Sequence, residues 1–389
     1  MSPLCESYVA AADLHKMEPF YPLHVYVCDK CFLVQLLEYV SAGDIYSEYA
    51  YFSSYSDSWL EHAKVYVDMI TEKLDLGSKS QVVEIASNDG YLLQYFVEKQ
   101  IPVLGIEPAA NVAPAAEKKG VKTVVKFFGQ QTAQELATDG IRADLLLGNN
   151  VLAHVPDIND FVKGMEILLG NDGVITMEFP HLVRLMEENQ FDTIYHEHFS
   201  YLSFTTVRKI FTEHGLFVYD VERLQTHGGS LRIYGCHSEN TERPLTARAG
   251  DLLEEEKKLG IGQLETYRSF TEQVKKTKYE LLSLLIDLKS DGSSIAGYGA
   301  PGKGNTLLNY CGIRNDFIDY TVDRNPYKHD KFLPGTRIPI YPPEKIKETR
   351  PDYLFILPWN LKEELMKQNA FIRDWGGKFI IPIPEPEVL

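Results

Sequence analysis

Val82-Val83-Glu84-Ile85-Ala86-Ser87-Asn88-Asp89-Gly90-Tyr91-Leu92-Leu93 decides the fold. Apolar residues flank one carboxylate in a short strand. Small and turn-forming residues follow, and then an apolar stretch that opens a helix. Working outward, further apolar strands are expected at 103–106, 121–125, 144–147 and 174–177, with helical segments between most of them. Such alternation implies a parallel sheet covered by helices on both faces. Upstream, Ser56-Asp57 caps a helix running through Trp59, Ala63, Val67 and Ile70 and stopping near Gly77. Downstream, Ser230-Leu231-Arg232-Ile233-Tyr234 alternates enough to be an antiparallel strand. Residues 252–289 are helical and charged, as one long helix or a helical pair. A second alternating block begins at Ser294, with strands at 295–298, 317–322, 353–356 and 379–381.

At 389 residues the chain is too long for one ordinary core, and two or three domains are expected. The expected divisions are a small lobe over 1–55, an α/β domain over 56–245 and a second one over 246–389. A net charge of −16 disfavours nucleic acid as a partner, although local Lys or Arg can still bind a phosphorylated small molecule. No apolar run is long enough to span a membrane, and no basic-then-apolar leader opens the chain. Five cysteines, an odd number, fit a reducing, cytoplasmic setting. Only Cys28 and Cys31 have metal-ligand spacing, and Cys5, His15 and His24 add no second close pair. No metal is therefore expected from the spacing. Oligomeric state is not legible.

Chemistry concentrates in Tyr195-His196-Glu197-His198-Phe199-Ser200-Tyr201. Two imidazoles, a carboxylate and two phenols within seven residues suit proton transfer more than folding. An extended segment would put His196 and His198 on one face, a loop would not, and spacing does not choose between them. The Glu84–Gly90 stretch has the strand–turn–helix form that carries an adenosine-type ligand, and Glu107 ends the next strand, where a carboxylate commonly receives ribose hydroxyls. One glycine falls short of a full fingerprint, so spacing alone leaves an ordinary turn open. Gly297-Tyr298-Gly299-Ala300-Pro301-Gly302-Lys303-Gly304-Asn305 also follows a strand and opens a helix, with Asp323 ending the next strand. Read by itself, that half fits a nicotinamide-dependent oxidoreductase.

These motifs, together with Gly148-Asn149-Asn150-Val151-Leu152-Ala153-His154-Val155-Pro156-Asp157 and His227-Gly228-Gly229-Ser230-Leu231-Arg232, resemble the signatures of the sugar-nucleotide C-methyltransferases. That family uses S-adenosylmethionine to methylate carbons of dTDP-linked ketodeoxysugars, including a 3-amino-4-keto sugar at C-3′. The resemblance covers nearly the whole chain. It implies a small N-terminal lobe, a central class I methyltransferase Rossmann-like domain and a C-terminal Rossmann-like domain that helps bind the sugar nucleotide. It also implies that Glu84, Ser87, Asn88, Gly90, Glu107 and Asn149 hold the cofactor, with His154 beside the sulfonium and the substrate. His198 is implied as the base, Tyr195 and Glu197 as groups orienting the sugar or steadying the enolate, and Tyr49 as a residue near the sugar. Gly302, Lys303 and Asn305 would hold the nucleotide. The family usually opens with two Cys-x-x-Cys pairs, and only Cys28/Cys31 stand here, so its zinc is not carried over. Competing readings are an O- or N-methyltransferase, the nicotinamide oxidoreductase, and a non-catalytic nucleotide-sugar binder.

Overall fold

The computed structural model of the chain describes residues 1–46 and 53–389. The chain divides into two units. One comprises Cys28–His181 and Glu197–Gly262, and the other Met1–Val27, Leu182–His196 and Gln263–Leu389.

In the first, β1 (Val34–Leu36) is a short outlying strand, and helix α1 (Asp57–Lys73) leads into the sheet. Ser56 caps α1 by accepting from the Trp59 amide at 3.3 Å, as its hydroxyl predicts. Ala63, Tyr66, Val67 and Ile70 are buried along one side of α1, the spacing of a helix with one apolar face. Asp75 turns left-handed (φ 49), so α1 stops short of Gly77. Strands β2 (Val82–Ile85), β3 (Val103–Ile106), β4 (Thr123–Val124), β5 (Ala143–Asn149) and β6 (Leu169–Pro180) follow. After β7 (Ser200–Tyr201) come β8 (Leu216–Leu224) and β9 (Ser230–His237).

The seven-stranded sheet has the spatial order β8-β9-β6-β5-β2-β3-β4. Strands β6 to β4 in that order are parallel neighbours, whereas β9 runs antiparallel to both β6 and β8. Strand order reverses between β2 and β5, and ligands of such sheets sit beyond the carboxyl ends of the strands at that point. Helix α1, with α2 (Leu93–Glu98) and α3 (Ala113–Lys118), packs one face of the sheet. Helices α4 (Gln130–Thr138), α5 (Ile158–Leu168) and α6 (Phe204–Glu213) pack the other, joined by α7 (Ala247–Lys258). This is the class I methyltransferase arrangement. Strand β1 pairs antiparallel with β7, and Leu36 N donates to Phe199 O at 2.9 Å, which fixes the end of the histidine-rich motif to this unit.

Two expected strands are shorter than their apolar runs. Val121 N donates back to Ala116 O and closes the end of α3, leaving Thr123–Val124 for β4. The amides of Phe317 and Ile318 both turn back to Arg314 O, leaving Tyr320–Val322. Strand β8 was not expected. Leu216-Phe217-Val218-Tyr219 breaks period-two alternation, and the register slips between Val218 and Asp220, so neither face repeats cleanly in one dimension.

The other unit holds helix α8 (Leu264–Ser290) and a six-stranded sheet. Its strands are β10 (Ile295–Tyr298), β11 (Tyr320–Val322), β12 (Ile340–Tyr341), β13 (Tyr353–Ile356), β14 (Lys378–Ile381) and β15 (Glu387–Val388), with α9 (Gly302–Cys311) after β10. Spatial order is β12-β11-β10-β13-β14-β15, all parallel except β15. The expected helical stretch is thus a pair, α7 and α8. Among the described residues no helix is long and apolar enough to cross a membrane.

Candidate active site

Beyond β2 the chain twists through three left-handed residues, Ala86 (φ 57), Asn88 (φ 48) and Gly90 (φ 73). Gly90 is required twice over. Its φ favours glycine, and a Cβ there would stand 3.1 Å from the Ala116 Cβ and 3.2 Å from Val121. The turn is fixed from outside. Glu107 accepts from the Asn88 and Ala109 amides, both at 2.9 Å, which leaves lone pairs on each carboxylate oxygen for a ligand. The Ser53 amide donates to Asn88 Oδ1 at 2.9 Å, and Lys119 pairs with Asp89 at 3.2 Å.

Within this frame lies a set of buried polar atoms with no hydrogen-bond partner among the described residues: both Glu84 carboxylate oxygens, Ser87 Oγ, Asp89 Oδ1 and Asn149 Nδ2. Native proteins seldom leave such groups unmet without a reason. Glu84 is wholly buried, and that burial, with the charges of Glu107 and Asp89, pushes its pKa well above the usual carboxylate range. Glu84, Asp89 and Glu107, with Lys119 paired to Asp89, make surroundings that favour a cation carrying hydrogen-bond donors.

The histidine-rich motif is not extended. A turn at His196–Glu197 divides it, and the unit boundary falls there too. Tyr195 and His196 belong with the C-terminal unit; Glu197 and His198 belong with the methyltransferase sheet. His196 is buried, its Nε2 lies 3.1 Å from Pro22 O and its ring meets Tyr21 edge-on. Those contacts give it a packing role. Tyr195 is half-buried, and Tyr49 lies outside the described residues.

His198 faces His154, which sits on the short turn after β5, with ring centroids 4.6 Å apart and planes at 79°. Phe199 N donates to Ala153 O at 2.8 Å and holds the two segments together. Tyr46 OH lies 2.8 Å from both Glu197 O and His154 Nδ1. A phenol has one proton, which goes to the carbonyl, so His154 donates from Nδ1 and keeps a lone pair on Nε2. Burial lowers the His154 pKa to about 4; the nearby His227 adds to this and the Glu197 carbonyl opposes it. His154 is therefore a neutral acceptor at physiological pH.

A stability consequence follows. Above pH 6.5 neither folded nor unfolded His154 carries a proton. Below it the unfolded chain binds one that the folded chain refuses, so stability falls as pH drops towards about 4. The loss is expected to be no more than about 3 kcal/mol. Urea unfolding of wild type and His154→Asn at pH 7 and pH 5 checks it: the variant should lose less between the two.

Other residues of this unit escaped the sequence reading. Glu178, wholly buried on β6 opposite Asn149, accepts from Thr226 Oγ1 at 2.9 Å and Arg232 Nη2 at 3.0 Å. His62 Nε2 is 2.9 Å from the same carboxylate. Burial would raise Glu178, but His62 and Arg232 hold it below its ordinary value. Trp59 stacks on His62 at 4.9 Å and on Tyr91 at 6.1 Å. These residues come from distant parts of the chain, and only the Trp59 position on α1 had a periodic signal.

In the C-terminal unit, Lys303 Nζ donates to Asn360 Oδ1 at 2.9 Å and lies 4.9 Å over the Trp359 ring. Asn305 is buried, with Nδ2 donating to Cys5 O at 2.6 Å. The Gly302 amide donates to the Glu6 carboxylate, and Asp323 accepts from Ala300 N at 2.7 Å and Asn325 N at 2.8 Å. The chain's own groups thus meet the donors and the carboxylate that a dinucleotide would use. Among the described residues, no three His, Cys, Asp or Glu side chains are grouped to hold a metal.

Comparison with known proteins agrees with this architecture. A methyltransferase-domain model matches residues 59–221, a C-methyltransferase C-terminal-domain model matches 225–384, and a model for a candidate zinc binding domain matches 1–46. The C-methyltransferase NovU of Streptomyces niveus is 36% identical over 390 residues, covering 100% of this chain and 92% of NovU. Among solved structures, magnesium protoporphyrin IX methyltransferase (ChlM) from Synechocystis with bound S-adenosylhomocysteine is 14% identical, with a TM-score of 0.37, over 46% of this chain and 83% of that one. An S-adenosylmethionine-dependent methyltransferase from Clostridium acetobutylicum gives 11% and 0.37 over 46% and 92%. The partnerless Glu84, Ser87 and Asn149 atoms and the open lone pairs of Glu107 suit the cationic, hydroxyl-bearing S-adenosylmethionine, whose electrophilic methyl group is the chemistry it supplies. The chain belongs to the S-adenosylmethionine-dependent C-methyltransferase family.

Proposed function

We propose that the methyl acceptor is a carbon next to the ketone of a nucleotide-linked, dTDP-type keto-deoxysugar. The observation that carries this reading is His198 set 4.6 Å from a neutral, tautomer-fixed His154. Methylation of carbon requires a carbanion, and a base near neutrality beside a ketone is the simplest way to make one. His198 removes the proton from the carbon. Electron density moves to the ketone oxygen as an enolate, whose carbon would take the methyl group as its bond to the sulfur of S-adenosylmethionine breaks, with S-adenosylhomocysteine the leaving group. His154 accepts a hydrogen bond at Nε2 from a sugar hydroxyl and, being neutral, does not compete for the proton. Glu84, Ser87, Asn88, Gly90, Glu107 and Asn149 hold the cofactor. Tyr195, Glu197 and Tyr49 are assigned to orienting the sugar. Lys303 is the proposed phosphate-binding cation of the C-terminal unit, with Gly302 and Asn305 shaping its loop. An active site closed to water would protect the enolate from simple reprotonation.

The test uses S-adenosylmethionine carrying a carbon-13 methyl group and a dTDP-linked 4-keto-deoxysugar. The product should show the labelled methyl coupled through one bond to a ring carbon. A label attached to oxygen or nitrogen would replace this reading with heteroatom methylation.

A further inference from the structure

Around the glycine loop of the C-terminal unit, several donors are already engaged. Asp323 takes the Ala300 amide, Glu6 the Gly302 amide, and Cys5 O the side-chain amide of Asn305. Lys303 differs. An ammonium carries three N–H donors, turns freely about its bond and has no tautomer to fix. Asn360 Oδ1, at 2.9 Å, is its one hydrogen-bond partner among the described residues, which leaves two donors open. Lys303 is half-buried and Asn360 exposed, so the pair lies at the surface.

The ammonium is nevertheless held in place. Lys303 Nζ stands 4.9 Å over the Trp359 ring, a cation–π contact. Trp359 and Asn360 are neighbours in the short turn Trp359–Leu361 after β13, so one turn supplies both contacts. The indole is fixed in its turn: Trp359 is buried, and its Nε1 donates to Asp192 Oδ2 at 2.7 Å. Asp192 comes from the distant turn Phe191–Thr193 of the same unit and is wholly buried. Burial raises its pKa to about 6, and the Lys303 charge and the Trp359 bond oppose the rise. Burial lowers the pKa of Lys303, and the Asp192 charge opposes that. Each group thus favours the ionised form of the other. Packing alone does not call for a carboxylate here, because an apolar side chain fills a buried position at less cost.

We propose that Asp192 is a positioning residue for phosphate recognition, acting through Trp359 and Lys303. It holds the indole whose face, together with Asn360, presents the two open donors of the Lys303 ammonium to the diphosphate of the substrate. Lysine binds phosphate as a point charge on a flexible stem. A stem already held in place loses less freedom when the ligand arrives. The inference rests on the nucleotide-sugar reading for its ligand.

Calorimetric titration with dTDP, and with inorganic pyrophosphate as a probe lacking the nucleoside, tests the proposal. Lys303→Met should weaken both by about 30-fold. Asp192→Asn keeps an acceptor for the indole and removes the charge; it should weaken both by about tenfold. Trp359→Phe keeps a ring but frees it from Asp192, and should weaken both by about threefold. All three should bind S-adenosylhomocysteine like wild type, which shows them folded. Asp192→Asn added to Lys303→Met should change dTDP affinity by less than about twofold, because Asp192 acts through the ammonium. A pH profile gives the second readout. Without the Asp192 charge, Lys303 gives up its proton at lower pH. Between pH 7.5 and pH 9, Asp192→Asn should therefore lose dTDP affinity more steeply than wild type. Unchanged dTDP affinity in Asp192→Asn would overturn the proposal. So would a full tenfold loss in the Lys303→Met background, which would make the role of Asp192 structural. Pyrophosphate binding in this pattern without dTDP binding would sink the nucleotide reading and leave the inference standing. Wild type that binds neither would overturn both.

Discussion

His198→Ala is expected to lose methyl transfer by about 1,000-fold or more while binding S-adenosylhomocysteine like wild type, since a positioned base contributes roughly 100- to 10,000-fold. The upper part of that range applies because neither of the two other imidazoles beside it in space or sequence is a good substitute. His154, at 4.6 Å, has its pKa pressed down to about 4 and is too weak a base. His196 belongs to the other unit, its Nε2 beside the Pro22 carbonyl. His198→Asn should be equally inactive, since it keeps size and polarity without basicity. Steady-state turnover alongside calorimetric titration of S-adenosylhomocysteine separates the effects. Joint loss of turnover and cofactor binding would assign His198 a structural role.

Glu84→Gln carries the second large effect, with opposite consequences for binding and stability. The wild-type carboxylate is wholly buried and lacks a hydrogen-bond partner among the described residues. Its proposed partner is the α-ammonium group that S-adenosylmethionine and S-adenosylhomocysteine share, and losing a buried charge-assisted contact costs about 2–5 kcal/mol. The dissociation constant for S-adenosylhomocysteine should therefore rise by about 100-fold or more. Stability moves the other way. Because the folded pKa lies above the unfolded value, this group favours folding only below the unfolded carboxylate pKa and opposes it as pH rises. Ligand-free Glu84→Gln should thus melt higher than wild type at pH 8, with the gap closing towards pH 4. Thermal unfolding at both pH values reads this directly. A variant that binds cofactor normally would remove Glu84 from the pocket.

Much of this was legible in one dimension, and the reason differs from residue to residue. The β2 turn could be read because Glu84, Asn88 and Gly90 are close in sequence and each answers a local need. Ser56 as a cap and the paired helices after Ala247 follow from equally local rules. Strand β8 was hidden because its bulge destroys alternation. Tyr46, which sets the His154 tautomer, and the His62–Glu178–Arg232 group were illegible for another reason. Their partners lie far away in the chain, and only the folded sheet brings them together. His196 sits in the motif with His198, yet one turn sends it into packing beside the Pro22 carbonyl.

Solvent deuterium exchange at the sugar carbon next to the ketone tests the central claim most directly. The dTDP-linked 4-keto-deoxysugar is incubated in deuterium oxide with enzyme and S-adenosylhomocysteine, so that no methyl group can be transferred. Wild-type enzyme should wash deuterium into that one carbon, and His198→Ala should not. Exchange at equal rates in both proteins, or in neither while wild type still methylates carbon, would contradict proton removal by His198.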